Sequence, residues 1–255
     1  MYPGFFAGAE YLEAVAAGVA AARLIRLHLA RRQPALLAFL LSTAVVFLAL
    51  ASFPQASVVY FWLYVAAVPI NWVVSVYVVR EMCALVLDDY PGIRTAARWV
   101  MYVATGVAIL SSLAMSVAFW NGGRHGESGL FYIEIVNRSV VFTLAVIVAS
   151  ILVFLSRYPL GLHRNTYVST SFFSAVFLSE AAEMLVDSLS PHLHSAWVDE
   201  TQLLFAAVCF AGWALMLRPE TAGAPAIVSY ENPADQELLQ QLESFNALLA
   251  RVGRR

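Results

Sequence analysis

Three stretches of the chain, residues 34–53, 58–79 and 99–120, contain no charged residue at all. The hydrocarbon core of a bilayer is about 30 Å thick and a helix rises about 1.5 Å per residue, so about 20 apolar residues are enough to cross it. The composition agrees, because 61% of the residues are hydrophobic and 13% are charged, whereas a soluble domain is about half apolar and about a quarter charged. The chain is therefore predicted to be an integral membrane protein.

Four further apolar stretches complete a set of seven predicted transmembrane helices, although charged residues lie inside three of the four. Every backbone polar group must find a partner inside the bilayer, and a helix supplies those partners within its own segment. The predicted fold class is thus an all-α membrane protein, a seven-transmembrane-helix bundle formed by residues 1–218. The approximate helices are residues 5–28, 34–53, 58–82, 99–120, 130–156, 165–187 and 199–217.

Basic residues are distributed unevenly between the two ends of these helices. All 15 are arginines, and if the chain crosses seven times, 13 of them fall on one side and only Arg124 and Arg138 on the other. Because arginine near a helix end is retained in the cytoplasm during insertion, the N-terminus is predicted outside and the C-terminus in the cytoplasm. The predicted location is the cell inner (plasma) membrane, crossed several times. The absence of lysine excludes a retinal Schiff base.

The end of the chain differs in composition from the predicted bundle. Residues 219–231 are rich in Ala, Pro and Gly and are predicted to be a linker, and residues 232–255 are predicted to form a cytoplasmic amphipathic helix that Asn232 caps. One face of that helix is predicted to pack on the bundle or the membrane surface, or else to bind a cytoplasmic partner or a second copy. That face contains Leu238, Leu242, Phe245 and Leu249. Lipid is the other predicted partner, and no nucleic acid is expected.

Charged side chains lie inside three of the predicted helices, where each costs on the order of 2.5–3.5 kcal/mol on insertion scales. In the sixth helix three acids, spaced by three and four residues, share one face. In the fifth helix Glu134 precedes Arg138 by four residues, which is the favourable order for an ion pair within a helix. The first helix adds two acids on one face of its outer half.

These side chains have similar predicted depths on the outer side, so a bundle is expected to bring them together in one water-accessible pocket. Two interpretations remain open. In the first, Arg138 neutralises Glu134 and one acid of the sixth helix, and Glu10 and Asp187 lie in headgroup water. In the second, the carboxylates exceed what one arginine balances, and they attract a proton, an amine or a metal cation. The predicted ligand or ion pocket is Glu10, Glu13, Glu134, Asn137, Arg138, Glu180, Glu183 and Asp187.

Other chemistry has little support in the sequence. His125, His192 and His194 lie in predicted outer loops and are weak candidates for metal ligands, because they match no zinc pattern and loop histidines are usually solvated. Neither a metal site nor a cofactor is predicted. The chain has no HExxH, GxSxG, P-loop or GxGxxG motif, so no catalytic residue is predicted and the chain is not expected to be an enzyme.

Three classes of function fit these patterns. In a receptor-like sensor, the outer pocket binds a small cation, amine or proton, and the tail helix reports the resulting helix movement. A proton-coupled or cation transporter would use the same acids as a relay, but it needs a polar path to the inner side. Asn71 and Ser169 are the modest candidates for that path, in inner halves that are otherwise expected to be apolar, so the sensor is preferred. The third class is a membrane scaffold that acts through its tail.

Overall fold

The computed structural model is all-helical, and it describes residues 3–54, 57–120, 128–158, 162–189, 196–219 and 233–252. These residues contain eight α-helices. They are α1 (Pro3–Arg26), α2 (Pro34–Ala51), α3 (Val58–Val86), α4 (Pro91–Trp120), α5 (Ser128–Arg157), α6 (Arg164–Leu189), α7 (Ala196–Met216) and α8 (Pro233–Val252). The predicted linker lies outside the described residues except for residue 219, as do Asn232 and residues 253–255 of the predicted tail.

Three of these helices are long and apolar enough to cross a membrane: α2, α3 and the Ile133–Arg157 part of α5. The exposed surface also suits a membrane, since large apolar side chains such as Leu110 (68% exposed) and Leu215 (75% exposed) face outward. Glu10, Glu13 and Gln33, in contrast, are at most 5% exposed. The core is mostly apolar, but many large apolar side chains on the surface together with buried acids are unusual for a soluble protein. These observations support a membrane helical protein.

Several helix boundaries differ from those expected from hydropathy, and two of the differences have a clear local cause. Helix α4 begins at Pro91 rather than at residue 99, because proline suits the first turn of a helix, where its missing N–H has no partner to lose. The helix therefore includes Arg94 and Arg98, which hydropathy leaves out. Helix α1 ends at Arg26 rather than at residue 28, since His28 adopts a left-handed backbone conformation (φ 57°) before a short 3-10 helix at Leu29–Arg31.

Glu81, near the end of α3, caps the start of α2. Its Oε2 accepts a hydrogen bond from the Ala35 N–H at 2.8 Å, and its Oε1 accepts one from the Leu36 N–H at 3.2 Å. The first N–H groups of a helix lack partners within the helix, and the helix dipole favours a negative charge there. A residue that hydropathy places only at the edge of a span therefore fastens two helices together.

Six of the helices form a closed ring in the order α1, α2, α3, α5, α6 and α7, with α7 packed against α1. Helix α4 lies outside this ring against α5 and α3, and α8 packs against α4. One end of the bundle, here called the arginine-rich end, brings together the end of α1, the start of α6 and the end of α7. There Arg23 donates to the carbonyl oxygen of Leu217 at 3.2 Å, and Asn165 bonds the backbone of Arg218. The opposite end is called the acidic end.

Candidate functional site

A cavity of about 420 Å³ lies inside the ring toward the acidic end, and all six ring helices contribute to its wall. Pockets for small molecules typically measure about 300–1,000 Å³. This cavity, called the acidic cavity below, therefore has room for a small organic ligand. Helix α4 lies outside the ring, so the described residues of the wall all come from the six ring helices.

Seven of the eight residues of the predicted pocket line the acidic cavity: Glu10 and Glu13 from α1, Glu134, Asn137 and Arg138 from α5, and Glu180 and Glu183 from α6. The eighth, Asp187, belongs to α6 one turn beyond Glu183, but its side chain lies outside the described part. The weak metal candidates His125, His192 and His194 lie outside the described residues altogether. Within the described residues, no three His, Cys, Asp or Glu side chains lie close enough to hold a metal ion.

The two glutamates of α1 are deeply buried in this wall. Glu10 is 3% exposed and its Oε1 accepts a hydrogen bond from the Tyr60 hydroxyl at 3.3 Å. Glu13 is 5% exposed, and its Oε2 has no hydrogen-bond partner among the described residues. An unsatisfied buried polar group costs about 1–3 kcal/mol, and more if it is charged. Glu13 is therefore the side chain of the wall with the most to gain from a ligand that donates hydrogen bonds.

Helix α5 supplies the opposite charge. Arg138 and Glu134 form the ion pair that their spacing predicts, and the two side chains are 28% and 53% exposed. Beside them, Asn137 Oδ1 accepts a hydrogen bond from Trp72 Nε1 at 2.6 Å, which fixes α5 against α3. Among the described residues of the wall, Arg138 is the one cation and five side chains are glutamates. The wall thus carries an excess of acidic groups.

Several polar wall residues were not predicted from the sequence. Tyr60 and Tyr64 of α3 line the cavity, although aromatic residues near a helix end are also typical of the membrane interface. Gln202 of α7 lines it too, and its Nε2 donates to Ser179 Oγ at 3.1 Å, which links α7 to α6. No local signal distinguishes these side chains, because the face that a helix turns inward depends on its neighbours. Much of the remaining wall is apolar and includes Phe47, Val68, Leu203 and Ala206.

Polar side chains continue beyond the floor of the acidic cavity, toward the arginine-rich end. Asn165, Thr166, Ser169 and Thr170 of α6 are all buried, so the expectation of otherwise apolar inner halves was wrong for this helix. Mean hydropathy conceals them because bulky apolar residues separate small polar ones. They form two pairs, Asn165 with Ser169 and Thr166 with Thr170, each spaced by four residues on one helix face, and this spacing is the signal that would have found them.

A scan against protein-family models found no matching family, and searches of curated proteins and of solved structures found no similar protein. The chemistry of the cavity must therefore be inferred from its geometry. Buried carboxylates, one ion-paired arginine and an apolar remainder suit a ligand that carries a positive group on an apolar body.

Proposed function

We propose that the chain is a receptor-like membrane sensor whose acidic cavity binds a small cation, and that an organic amine suits the cavity best. The observation that carries the proposal is the buried Glu13 carboxylate, whose Oε2 lacks a partner among the described residues at the wall of the cavity. An ammonium group has three N–H donors and a positive charge, so it satisfies such an oxygen in a charge-assisted hydrogen bond. The apolar part of the wall would hold the body of the amine.

An amine suits this wall better than a bare metal ion or a proton alone. A metal ion needs several ligands in one closed shell, and the described carboxylates do not come close enough together for that. An ammonium group needs only acceptors at hydrogen-bond distance. A proton would leave most of the volume of about 420 Å³ unused.

In this proposal α1–α7 all span the inner (plasma) membrane, with the N-terminus outside and α8 in the cytoplasm. Thirteen of the 15 arginines then lie on the cytoplasmic side, as the distribution of basic residues in inner-membrane proteins favours. The acidic cavity then faces the outside, where it meets ligands that arrive from the surroundings of the cell. The arginine-rich end and the tail helix face the cytoplasm.

The tail helix is placed to report movement of the bundle. Asn246 Oδ1 of α8 accepts hydrogen bonds from the N–H groups of Gly92 at 2.8 Å and Ile93 at 3.3 Å, so it caps the start of α4. Leu242 is buried in the same contact, whereas Phe245 is 53% exposed. Because α4 packs on α5, which carries Arg138, a ligand that shifts α5 would alter the docking of the tail. The tail face would then become available to a cytoplasmic partner or a second copy.

The binding proposal predicts that an alkylamine stabilises the purified protein. Because a ligand that binds only the folded state raises the unfolding midpoint with its concentration, butylamine should raise the midpoint progressively, and sodium chloride at equal ionic strength should not. The measurement is thermal unfolding in detergent of the wild type, of Glu180→Gln and of Glu200→Gln. Glu180 lines the cavity, whereas Glu200 is a buried acid of α7 outside its lining, so only Glu180→Gln should weaken the shift. An equal shift in both variants, or none in the wild type, would contradict the proposal.

The docking of the tail predicts a specific effect of Gly92→Ala. A Cβ atom at this position would lie 2.4 Å from the backbone oxygen of Asn246 and 2.9 Å from the backbone nitrogen of Ala250, so α8 would have to move away. Hydrogen exchange of residues 233–252 should become at least about tenfold faster, because local stability governs exchange. Gly106→Ala is the matched control on the same helix, since nothing lies within 4 Å of its added Cβ. Unchanged protection of the tail in Gly92→Ala would show that α8 is not held by this contact.

A proton-coupled or cation transporter is the second candidate, and the buried polar residues in the inner half of α6 favour it. A membrane scaffold that acts through its tail, where Phe245 is exposed, is the third. The scaffold alone predicts that Glu180→Gln leaves the cellular phenotype unchanged while deletion of residues 233–255 abolishes it.

A further inference from the structure

We propose that the bundle also conducts protons, along a path on α6 that three phenylalanines close in this structure. Phe39, Phe173 and Phe210, which come from α2, α6 and α7, are called the phenylalanine septum. Proton conduction goes beyond ligand sensing, and it shares with the proposed sensor only the acidic cavity.

The three side chains of the septum contact one another inside the ring, and Phe177 packs on Phe173 one turn nearer Glu180. The ring centroid of Phe39 lies 5.3 Å from that of Phe173 and 6.3 Å from that of Phe210, both in edge-to-face geometry. All three side chains are at most 6% exposed. Phe39 and Phe210 line the acidic cavity, and Phe210 with Phe173 lines a second, much smaller cavity on the other side. Phe210 thus lines both cavities.

The smaller cavity leads to a buried hydrogen-bonded group. Its volume is about 10 Å³, close to the smallest volume that holds one water molecule, and Ser169 and Trp213 line it. The Ser169 hydroxyl donates to Gln33 Oε1 at 3.2 Å and accepts from Trp213 Nε1 at 3.2 Å. Gln33 is 2% exposed and directly precedes α2 at the arginine-rich end. These three residues, called the inner polar chain, extend from the septum toward that end.

Helix α6 carries groups able to exchange protons on both sides of the septum. Glu180, on the wall of the acidic cavity, lies seven residues from Phe173, which is about 10 Å along a helix. Ser169 lies four residues from Phe173 on the other side, about 6 Å along the axis. At the level of the septum, the buried Ser174 hydroxyl has no hydrogen-bond partner among the described residues. A carboxyl and a hydroxyl each both donate and accept a proton.

The proposed step conserves protons. A proton from the acidic side binds the Glu180 carboxylate, and when the septum opens it passes through entering water to Ser169 Oγ. The Ser169 hydroxyl then breaks its hydrogen bond to Gln33 Oε1 and donates its original proton to water that enters from the arginine-rich end, so the carboxylate and the hydroxyl both return to their starting forms. Apolar constrictions of this kind close a path by excluding water. A smaller side chain in the septum should therefore leave the path open.

The small inner cavity and its uncharged lining favour a proton over a larger cation as the conducted species. A volume of about 10 Å³ does not admit an amine or a hydrated metal ion, whereas a proton needs only one ordered water and a hydrogen-bonding partner. The inner polar chain is also uncharged, so it offers no counter-charge to a permanent cation. Together these features point to a proton.

The test uses the full chain reconstituted in liposomes that contain a pH-sensitive dye, with valinomycin and potassium to compensate charge. After an external acid step, Phe210→Leu and Phe39→Leu should acidify the interior at least about tenfold faster than the wild type, because a water-excluding layer has been thinned. Adding Ser169→Ala to Phe210→Leu should remove most of that increase. Phe154→Leu is the matched control, since Phe154 contacts Tyr158 on α5 outside the septum.

Each of the following three results would contradict the proposed proton conduction. If septum variants that unfold at the temperature of the wild type show no faster acidification, the septum is ordinary core packing. If Ser169→Ala leaves the faster acidification unchanged, the path does not use the inner polar chain. If a sodium-sensitive dye reports an equal rise in sodium entry, the variants are simply leaky. The butylamine shift, measured on the same preparations, tests the sensor separately, so failure of one proposal is distinguishable from failure of the other.

Discussion

Replacing Arg138 with methionine should lower the free energy of unfolding by about 2 kcal/mol and lower the thermal midpoint by several degrees. Removing one partner of a fully buried ion pair costs about 3–5 kcal/mol because an uncompensated charge remains. Arg138 and Glu134 are 28% and 53% exposed, so solvent screening reduces that cost. The cost of removing Arg138 nevertheless stays substantial. Arg138 is the one cation among the described residues that line the cavity, so the other glutamates of the wall also lose their balancing charge.

The double variant Arg138→Met with Glu134→Gln provides the control for this prediction. It removes both charges of the pair, so it should recover a clear part of the stability that the single variant loses, which a double-mutant cycle measures. A double variant no more stable than the single one would mean that the arginine acts through packing. An unchanged midpoint in the single variant would show that the acids of the wall do not depend on Arg138.

Replacing Glu13 with glutamine should raise the stability of the ligand-free protein by about 1–3 kcal/mol, because a neutral amide costs less to bury than a carboxylate whose Oε2 lacks a partner. The same change should abolish the midpoint shift that butylamine produces, since the charge that attracts the ammonium group is gone. Binding sites commonly lower stability in this way for the sake of function. Thermal unfolding with and without butylamine measures both effects in one experiment.

A rise in the stability of the ligand-free protein together with loss of the butylamine shift would identify Glu13 as a binding residue rather than a structural one. If Glu13→Gln lowers the midpoint of the ligand-free protein, Glu13 has a structural partner and the binding proposal loses its main support. Glu200→Gln is the control for burial, because Glu200 is 8% exposed but does not line the acidic cavity. It should leave the butylamine shift intact.

Local sequence patterns account for the helices and for the composition of the candidate site. Apolar stretches without charges predict α2 and α3 because the requirement to cross a bilayer is a requirement on consecutive residues. The four-residue spacing of Glu134 and Arg138 predicts their ion pair for the same reason, since both groups lie on one helix turn. Acids that cost free energy in a membrane also stand out within single helices, which is why the sequence alone points to Glu10, Glu13, Glu180 and Glu183.

The tertiary structure decided what depends on neighbours far apart in the chain. Hydropathy does not reveal that α4 lies outside the ring, that Glu81 caps α2, or that Asn246 caps α4. In the phenylalanine septum, Phe39 contacts Phe173 and Phe210. Nothing in the sequence distinguishes these three residues from other apolar residues. The physical reason is that a helix needs only its own backbone hydrogen bonds, whereas the face that it turns inward is set by the helices packed against it. The sequence by itself thus determined the helices and the acids, and only the packing of the helices decided which side chains share a cavity and which of them close it.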